Sequence, residues 1–233
     1  MFHLQDVTKI YRRRQLEVIA FRAAHLRIAN GEYVAVVGPS GSGKTTLLSI
    51  LGGMLSPDSG QVRFEGESLY DLPITARTQR RREGIGFVFQ TFNLVPYLTA
   101  LENVQVPLFL SGVAKSEQRD RAVALLEQVG LGNRIDHKPG ELSTGQQQRV
   151  ALARTLANNP RLILADEPTG NLDPASRAAV LSMFDQFVSE GRTIVMVTHD
   201  PAAADRASRR LCLQEGEVTE TSPSGLSRRG DAA

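Results

Sequence analysis

Several familiar signals are missing from this chain, and each absence excludes something. A single cysteine, Cys212, rules out an internal disulfide and suits a reducing compartment. No cysteines and histidines cluster at metal-ligand spacing, which excludes the usual structural zinc sites. No run of about eighteen apolar residues occurs, so no segment reads as a membrane-spanning helix. The start of the chain, Met1-Phe2-His3-Leu4-Gln5-Asp6, has no basic stretch leading into an apolar one, so no secretion signal is expected. Charge of one sign is also lacking. A net charge of +2 with 22% charged residues announces no nucleic-acid surface, and no nucleic-acid partner is expected. Arg12-Arg13-Arg14 and Arg80-Arg81-Arg82 are short, isolated triplets that read as solvated patches before phosphate contacts.

With 233 residues, 41% of them hydrophobic, the chain can bury the core of one domain. Loose alternation through Phe2, Leu4 and Val7, then Val18-Ile19-Ala20-Phe21, Leu26 and Ile28, predicts strands that end at the Asn30-Gly31 turn. Tyr33–Val37, Gly86–Phe89, Leu162–Ala165 and Thr193–Val197 read as buried strands, and Gln61–Phe64 with Glu65-Gly66-Glu67 as a hairpin edge. Helices are expected over Lys44–Met54, Gln146–Asn158 and Pro174–Ser189. Strands of nearly continuous apolar sequence alternating with helices predict an α/β fold with a mostly parallel sheet covered on both faces. Between Asn93 and Gly140 the pattern becomes helical over Leu101–Leu110 and Ser116–Val129, which predicts an inserted helical subdomain, about 91–149. Residues 1–220 are taken as one domain, with 1–90 and 150–220 as core and β subdomain. Residues 221–233, rich in Ser, Gly, Arg and Pro, read as a disordered tail.

Gly38-Pro39-Ser40-Gly41-Ser42-Gly43-Lys44-Thr45 fits G-x-x-x-x-G-K-[ST] between an apolar strand and a helix. Its glycines let backbone N–H groups close on phosphate oxygens at a helix N-terminus, where the dipole favours anions. Ser40, Gly41, Ser42, Gly43 and Thr46 join Gly38 as candidate phosphate contacts. Lys44 would neutralise the β- and γ-phosphates, and the Thr45 hydroxyl would hold Mg²⁺. Leu162–Ala165 delivers Asp166 as a second magnesium ligand, and Glu167 comes next as candidate general base. Gln90 ends a strand and reads either as a contact to Mg²⁺ and the attacking water or as a surface glutamine. His199 comes just after a buried strand and reads either as a γ-phosphate contact or as a turn cap before Asp200-Pro201. Tyr11 offers a face for adenine, or is an ordinary strand aromatic.

Leu142-Ser143-Thr144-Gly145-Gln146 opens a helix and makes a second phosphate cradle. Lys44 already serves the triphosphate in the same chain, so this cradle is expected to complete the site of a second copy. A P-loop kinase or GTPase has no use for it.

On these motifs the chain resembles the ATP-binding subunits of ABC transporters, over residues 1–219. Walker A falls on Gly38–Thr45, the Q-loop on Gln90, the signature on Leu142–Gln146, Walker B on Leu162–Glu167, the D-loop on Asn171-Leu172-Asp173 and the H-switch on His199. Ala100-Leu101-Glu102-Asn103-Val104 and Ala165-Asp166-Glu167-Pro168-Thr169-Gly170-Asn171-Leu172-Asp173 resemble the LolD/MacB/FtsE branch. The resemblance implies a RecA-like P-loop NTPase core, an N-terminal antiparallel β subdomain and a helical subdomain. It also implies two ATP molecules sandwiched in a head-to-tail homodimer, with Ser143, Gly145 and Gln146 of the signature acting on the partner's nucleotide and Asp173 of the D-loop as a further nucleotide contact. The implied setting is the cytoplasmic face of the cell membrane, reached through a permease with a large extracytoplasmic domain. Phe92, Leu94, Val95, Tyr97 and Leu98 either line the groove for that permease or are subdomain core. The family's commonest signature has glycine where this chain has Thr144, which would carry strain if the position needs a positive φ. The alternative class is an ABC ATPase acting on nucleic acid or ribosomes. Its members carry inserted coiled coils or zinc modules, or two cassettes in one chain, and this sequence has neither.

Overall fold

The loose alternation near the start resolves into two long strands. The computed structural model describes residues 1–13 and 16–221. Strands β1 (Phe2–Arg13) and β2 (Leu16–Ile28) pair antiparallel from Phe2↔Ile28 to Arg13↔Leu16, with a register shift between Lys9 and Ile10. A buried strand, β3 (Tyr33–Val37), leads through the glycine-rich loop into α1 (Lys44–Leu51). Strands β4 (Ser59–Phe64) and β5 (Glu67–Ser68) form the expected hairpin edge. Helix α2 (Ile74–Gly84) then precedes β6 (Ile85–Phe89). Helices α3 (Ala100–Leu110), α4 (Lys115–Gln128) and α5 (Thr144–Leu156) come next. The α/β pattern resumes with β7 (Leu162–Asp166), α6 (Pro174–Ser189), β8 (Thr193–Val197) and the single turn α7 (Pro201–Ala204). Strands β9 (Arg209–Gln214) and β10 (Glu217–Thr221) complete the described chain.

The strands form one sheet in the order β5-β4-β1-β2-β10-β9-β3-β8-β7-β6. From β9 to β6 all neighbours are parallel. From β5 to β2 they are antiparallel, and β10 joins the two halves. Side chains of a strand alternate between faces, and the parallel strands use that alternation to build two cores. Val34, Val36, Leu162, Leu164, Val195 and Val197 pack with Leu47, Leu48, Ile50 and Leu51 of α1. Tyr33, Ile163, Ala165, Ile194 and Met196 pack on the other face with Leu152 and Leu156 of α5 and with Val180, Phe184 and Phe187 of α6. Both faces are dry, which is why these strands read as unbroken apolar runs.

A third cluster joins α3, α4 and α5 through Leu101, Val104, Leu108, Ala122, Leu126 and Val150. Helix α5 serves two clusters, Val150 and Ala153 facing α3 and α4, Leu152 and Leu156 facing the sheet. The expected division at 149/150 therefore falls inside one helix. Buried Asn103 on α3 pins the loop that leads there: its side-chain nitrogen donates to the carbonyls of Val95, Leu98 and Thr99, and its oxygen accepts from Val95 N–H.

Three elements have no counterpart in the sequence pattern. Helix α2 buries no residue, so no apolar stripe betrays it. Strands β9 and β10 are hidden by their charged outer residues, while Leu211 and Leu213 point into the core. Helix α1 stops at Leu51 rather than Met54, because Gly52 and Gly53 end it. The tail expected after Glu220 lies, from residue 222, outside the described residues, and so does Arg14 of the first arginine triplet. Arg12 of that triplet is exposed and pairs with Glu17 at 2.8 Å, and Arg80 of the second pairs with Glu67 at 2.6 Å.

Candidate active site

The carboxyl ends of β3, β6, β7 and β8 lie side by side in the sheet, so the loops that leave them meet in space. A cavity of about 720 Å³ opens there. It is lined by Tyr11, Gly38, Ser40, Gly41, Gly43, Lys44, Thr45, Thr46, Gln90, Asp166, Glu167 and His199 among others. These residues come from widely separated stretches of sequence.

The glycine-rich loop is held tightly from below. A Cβ at Gly43 (φ 103°) would lie 1.9 Å from Ala20 O, and one at Gly38 would lie 2.1 Å from Leu213 O. The backbones of β2 and β9 thus leave no room for a side chain at Gly38 or Gly43. Ser42, expected as a phosphate contact within the loop, has a buried side chain. It is 4% exposed beneath the loop, its Oγ finds no hydrogen-bond partner, and it does not line the cavity. Lys44 Nζ reaches back to the carbonyls of Gly38 and Pro39 at 2.8 and 2.7 Å.

Opposite the loop, Thr45 Oγ1 donates to Asp166 Oδ2 at 3.0 Å. Burial pushes the Asp166 carboxyl above the usual aspartate range; the Thr45 hydrogen bond works against this and the neighbouring Glu167 charge adds to it. A hydroxyl beside a carboxylate is hard-oxygen chemistry that suits Mg²⁺, so these two residues fit the ion implied by the resemblance. Among the described residues no group of three His, Cys, Asp or Glu side chains comes together as a metal site.

Glu167 sits at φ 47°, a left-handed conformation that costs a non-glycine residue about 1 kcal/mol or more. Its N–H donates to Val197 O at 2.9 Å, which holds the bend. Its Oε2 lies 2.8 Å from His199 Nδ1 and also accepts the His199 backbone N–H at 3.3 Å. Gln90 lines the cavity, but its amide is engaged sideways with the D-loop. Gln90 Nε2 donates to Asn171 Oδ1 at 3.4 Å and Asn171 Nδ2 donates to Gln90 O at 3.3 Å. Tyr11, half exposed on β1, stands at the cavity's edge beside Val18.

Ser143, Gly145, Gln146 and Asp173 do not line this cavity. Ser143 caps α5 in a reciprocal pair: its Oγ accepts from Gln146 N–H at 3.2 Å and Gln146 Oε1 accepts from Ser143 N–H at 2.9 Å. Thr144 is the first residue of that helix and has no positive φ, so the strain that glycine would relieve is absent. The helix therefore begins at Thr144, two residues before the expected start. Gly145 is buried against α6, where a Cβ would lie 2.2 Å from Ser176 Oγ. Asp173 caps α6 by accepting from Ala175 and Ser176 N–H at 3.0 Å each; the hydrogen bonds from Ser176 hold its carboxyl below the usual range.

Two positioning residues carry no motif that would mark them in the sequence. Gln148, fully buried on α5, donates to Pro168 O at 2.6 Å and ties the turn after Glu167 to the signature helix. Arg154 donates to the carbonyls of Phe92 (2.7 Å) and Asn93 (2.5 Å), fastening the segment after Gln90. A polar side chain set among the apolar residues of α5 is the signal the sequence offers for each. The five residues expected after Gln90 divide: Phe92 and Leu94 pack against cores, Leu98 is half-buried, and Val95 and Tyr97 are exposed. None lines the groove of about 560 Å³ that does lie between α2, β6 and α3. That groove is walled instead by Met54, Phe87, Phe89, Val106, Pro107 and Leu110, with arginines at its rim.

A phosphate loop, an adjoining hydroxyl–carboxylate pair and a glutamate–histidine pair at the end of a parallel sheet define a P-loop nucleotide triphosphatase. A family profile described as "ABC transporter" matches residues 21–170, and the chain belongs to the ABC transporter family. It is 48% identical over 221 residues to the macrolide export ATP-binding/permease protein MacB of Syntrophobacter fumaroxidans, covering 94% of this chain and 31% of that protein. The chain thus spans about a third of that relative's length. An ABC transporter ATP-binding protein of Thermotoga maritima is 46% identical over 230 residues, covering 99% of this chain and 96% of the relative. The dimeric structure of MJ0796, a bacterial ABC transporter cassette, superposes with a TM-score of 0.89 at 43% identity, over 97% of this chain and all of that one. A second dimeric structure of MJ0796, in a post-hydrolysis state with ADP and Pi, matches with the same TM-score at 42% identity and the same coverage.

Proposed function

We propose that two copies of this chain sandwich two ATP molecules head to tail, hydrolyse them, and pass the movement to a membrane permease. One observation carries the reading: the cavity collects the Walker, Q-loop and H-switch residues, while Ser143, Gly145, Gln146 and Asp173 stay outside it. A second copy supplies those four to the nucleotide. Tyr11 stacks on adenine. The backbone from Gly38 to Thr46 wraps the phosphates, and Lys44 turns from its loop carbonyls to the β- and γ-phosphates. Thr45, Asp166 and Gln90 would hold Mg²⁺, which when bound would neutralise phosphate charge. Glu167 accepts the proton of the attacking water, its second oxygen steadied by His199. His199 contacts the γ-phosphate. Closure results because ATP binds the closed dimer better than the open one.

The permease docks a short helix in the groove beside Phe87, Val106 and Leu110, an apolar lining suited to that mode. We place the chain on the cytoplasmic face of the cell membrane, with a permease that has a large extracytoplasmic domain, on the strength of the branch resemblance. The MacB relative's name joins cassette and permease in one protein, which supports such a pairing. Among the described residues no helix is long and apolar enough to cross a membrane. Residues 1–220 are read as one ATPase domain, with a helical part built on α3, α4 and the face of α5 that meets them.

Glu167→Gln tests the chemistry. It should keep ATP binding, lower hydrolysis by roughly 100-fold or more, and trap an ATP-dependent dimer detectable by light scattering. Hydrolysis near the wild-type rate would remove Glu167 as general base. Purification from detergent-solubilised native membranes should bring a permease along; recovery with ribosomes or nucleic acid alone would favour the other ABC class.

A further inference from the structure

His199 comes just after β8 with a side chain 70% exposed, so packing does little to place it. Its position depends on Glu167 and on Asp200, the next residue. Asp200 Oδ1 caps the single turn α7 by accepting from Ala202 N–H at 3.0 Å. Its other oxygen, Oδ2, is buried, makes no hydrogen bond, and lies 3.4 Å from Arg177 Nη1. Arg177 Nε is likewise buried without a hydrogen-bond partner. The two groups are close enough to attract, and each has hydrogen-bonding capacity unused, which makes the contact sensitive to small shifts of either element.

Arg177 sits in the first turn of α6, where its N–H donates to Asp173 O. Its neighbour Ser176 is the residue jammed against Gly145 at the start of α5. A continuous physical chain therefore runs from the signature helix through Ser176 and Arg177 to Asp200, His199 and Glu167. Glu167, Arg177, His199 and Asp200 also wall a common polar hollow of about 240 Å³.

We propose that Arg177 is a positioning residue for ATP hydrolysis, holding His199 and Glu167 in register with the signature through its ion pair with Asp200. It does not line the nucleotide cavity. The inference rests on the assignment of Glu167 and His199 made above. Two variants separate it from simple stability effects. Asp200→Asn retains an oxygen to cap α7 but removes the charge that faces Arg177. Arg177→Met removes the cation and keeps the aliphatic stem.

Steady-state ATP hydrolysis by the full chain should show kcat lowered about tenfold or more in either variant, with KM within about twofold, because misplaced catalytic groups affect the reacting centre and not nucleotide docking. Arg177→Lys, which keeps the charge, should recover at least a third of wild-type kcat. Arg177→Met/Asp200→Asn should be no slower than the worse single variant, since both break one interaction. A wild-type kcat in Arg177→Met or Asp200→Asn, or losses that multiply in the double variant, would overturn the proposal. If Arg177→Met does not fold, Asp200→Asn carries the test. Glu167→Gln in the same assay keeps the two readings apart. If it hydrolyses ATP normally, the assignment of the general base fails; if it is inactive while Arg177→Met is normal, only the positioning role fails.

Discussion

Gly145 is where two explanations of one glycine make opposite predictions. As a phosphate contact for a second copy, it requires only an exposed backbone N–H. In this structure it is buried, and an added Cβ would lie 2.2 Å from Ser176 Oγ and 2.7 Å from Ser176 Cβ. Non-bonded carbons rest at about 3.5–4.0 Å, so Gly145→Ala must part the starts of α5 and α6 by roughly 1 Å. Overpacking of this kind costs about 1–3 kcal/mol, and alanine recovers about 0.5–1 kcal/mol of helix propensity. The net loss of about 1–2 kcal/mol corresponds to a Tm lower by about 2–8 °C for a chain of this size. Circular dichroism melts of Gly145→Ala, Ser176→Gly and the double variant measure it. Ser176→Gly removes both clashing atoms, so adding Gly145→Ala to it should cost nothing further. A Tm for Gly145→Ala at or above wild type would refute the steric argument, because helix propensity alone would then be acting. ATP hydrolysis lost at unchanged Tm would leave Gly145 with the phosphate role only.

Other tests reach other parts of the molecule. Burial raises the Asp166 carboxyl in the folded chain, so its stabilising share is present below the ordinary aspartate pKa and is lost as pH rises through the folded value. Asp166→Asn should therefore melt above wild type at pH 7 with hydrolysis abolished, and the difference should close below about pH 4; a lower Tm at pH 7 would contradict the sign. Tyr11→Ala should raise KM for ATP roughly tenfold through lost stacking while leaving kcat near wild type, and an unchanged KM would free Tyr11 from the adenine. Val106→Glu puts a charge in the apolar groove, so co-purification of a membrane permease should be lost while isolated ATP hydrolysis stays within about twofold; a retained permease would move the docking site elsewhere.

The parallel strands are legible because both faces are buried, which leaves Leu162–Ala165 and Ile194–Val197 no polar position to blur the pattern. Helix α6 is legible from Asp173 and Pro174 at its start, a cap and a first-turn proline. Helix α2 is not, since an exposed helix of Arg and Gln has no periodicity to read. The start of α5 lies two residues earlier than expected because Ser143 and Gln146 cap the helix reciprocally, a local role that ligand chemistry alone does not suggest.

What the sequence determined by itself is the set of chemical groups and the strands that deliver them: Lys44, Thr45, Asp166, Glu167 and His199 each stand within a few residues of an apolar run. Local pattern suffices there, because a loop at the end of a buried strand has one place to go. Only the tertiary structure decided who touches whom. The sheet order sets Thr45 against Asp166 across 121 residues of sequence and ties Gln90 to Asn171. It also jams Gly145 on Ser176 and brings Arg177 to Asp200. Such partners are chosen by the packing of whole elements against two faces of one sheet, and no local spacing encodes them.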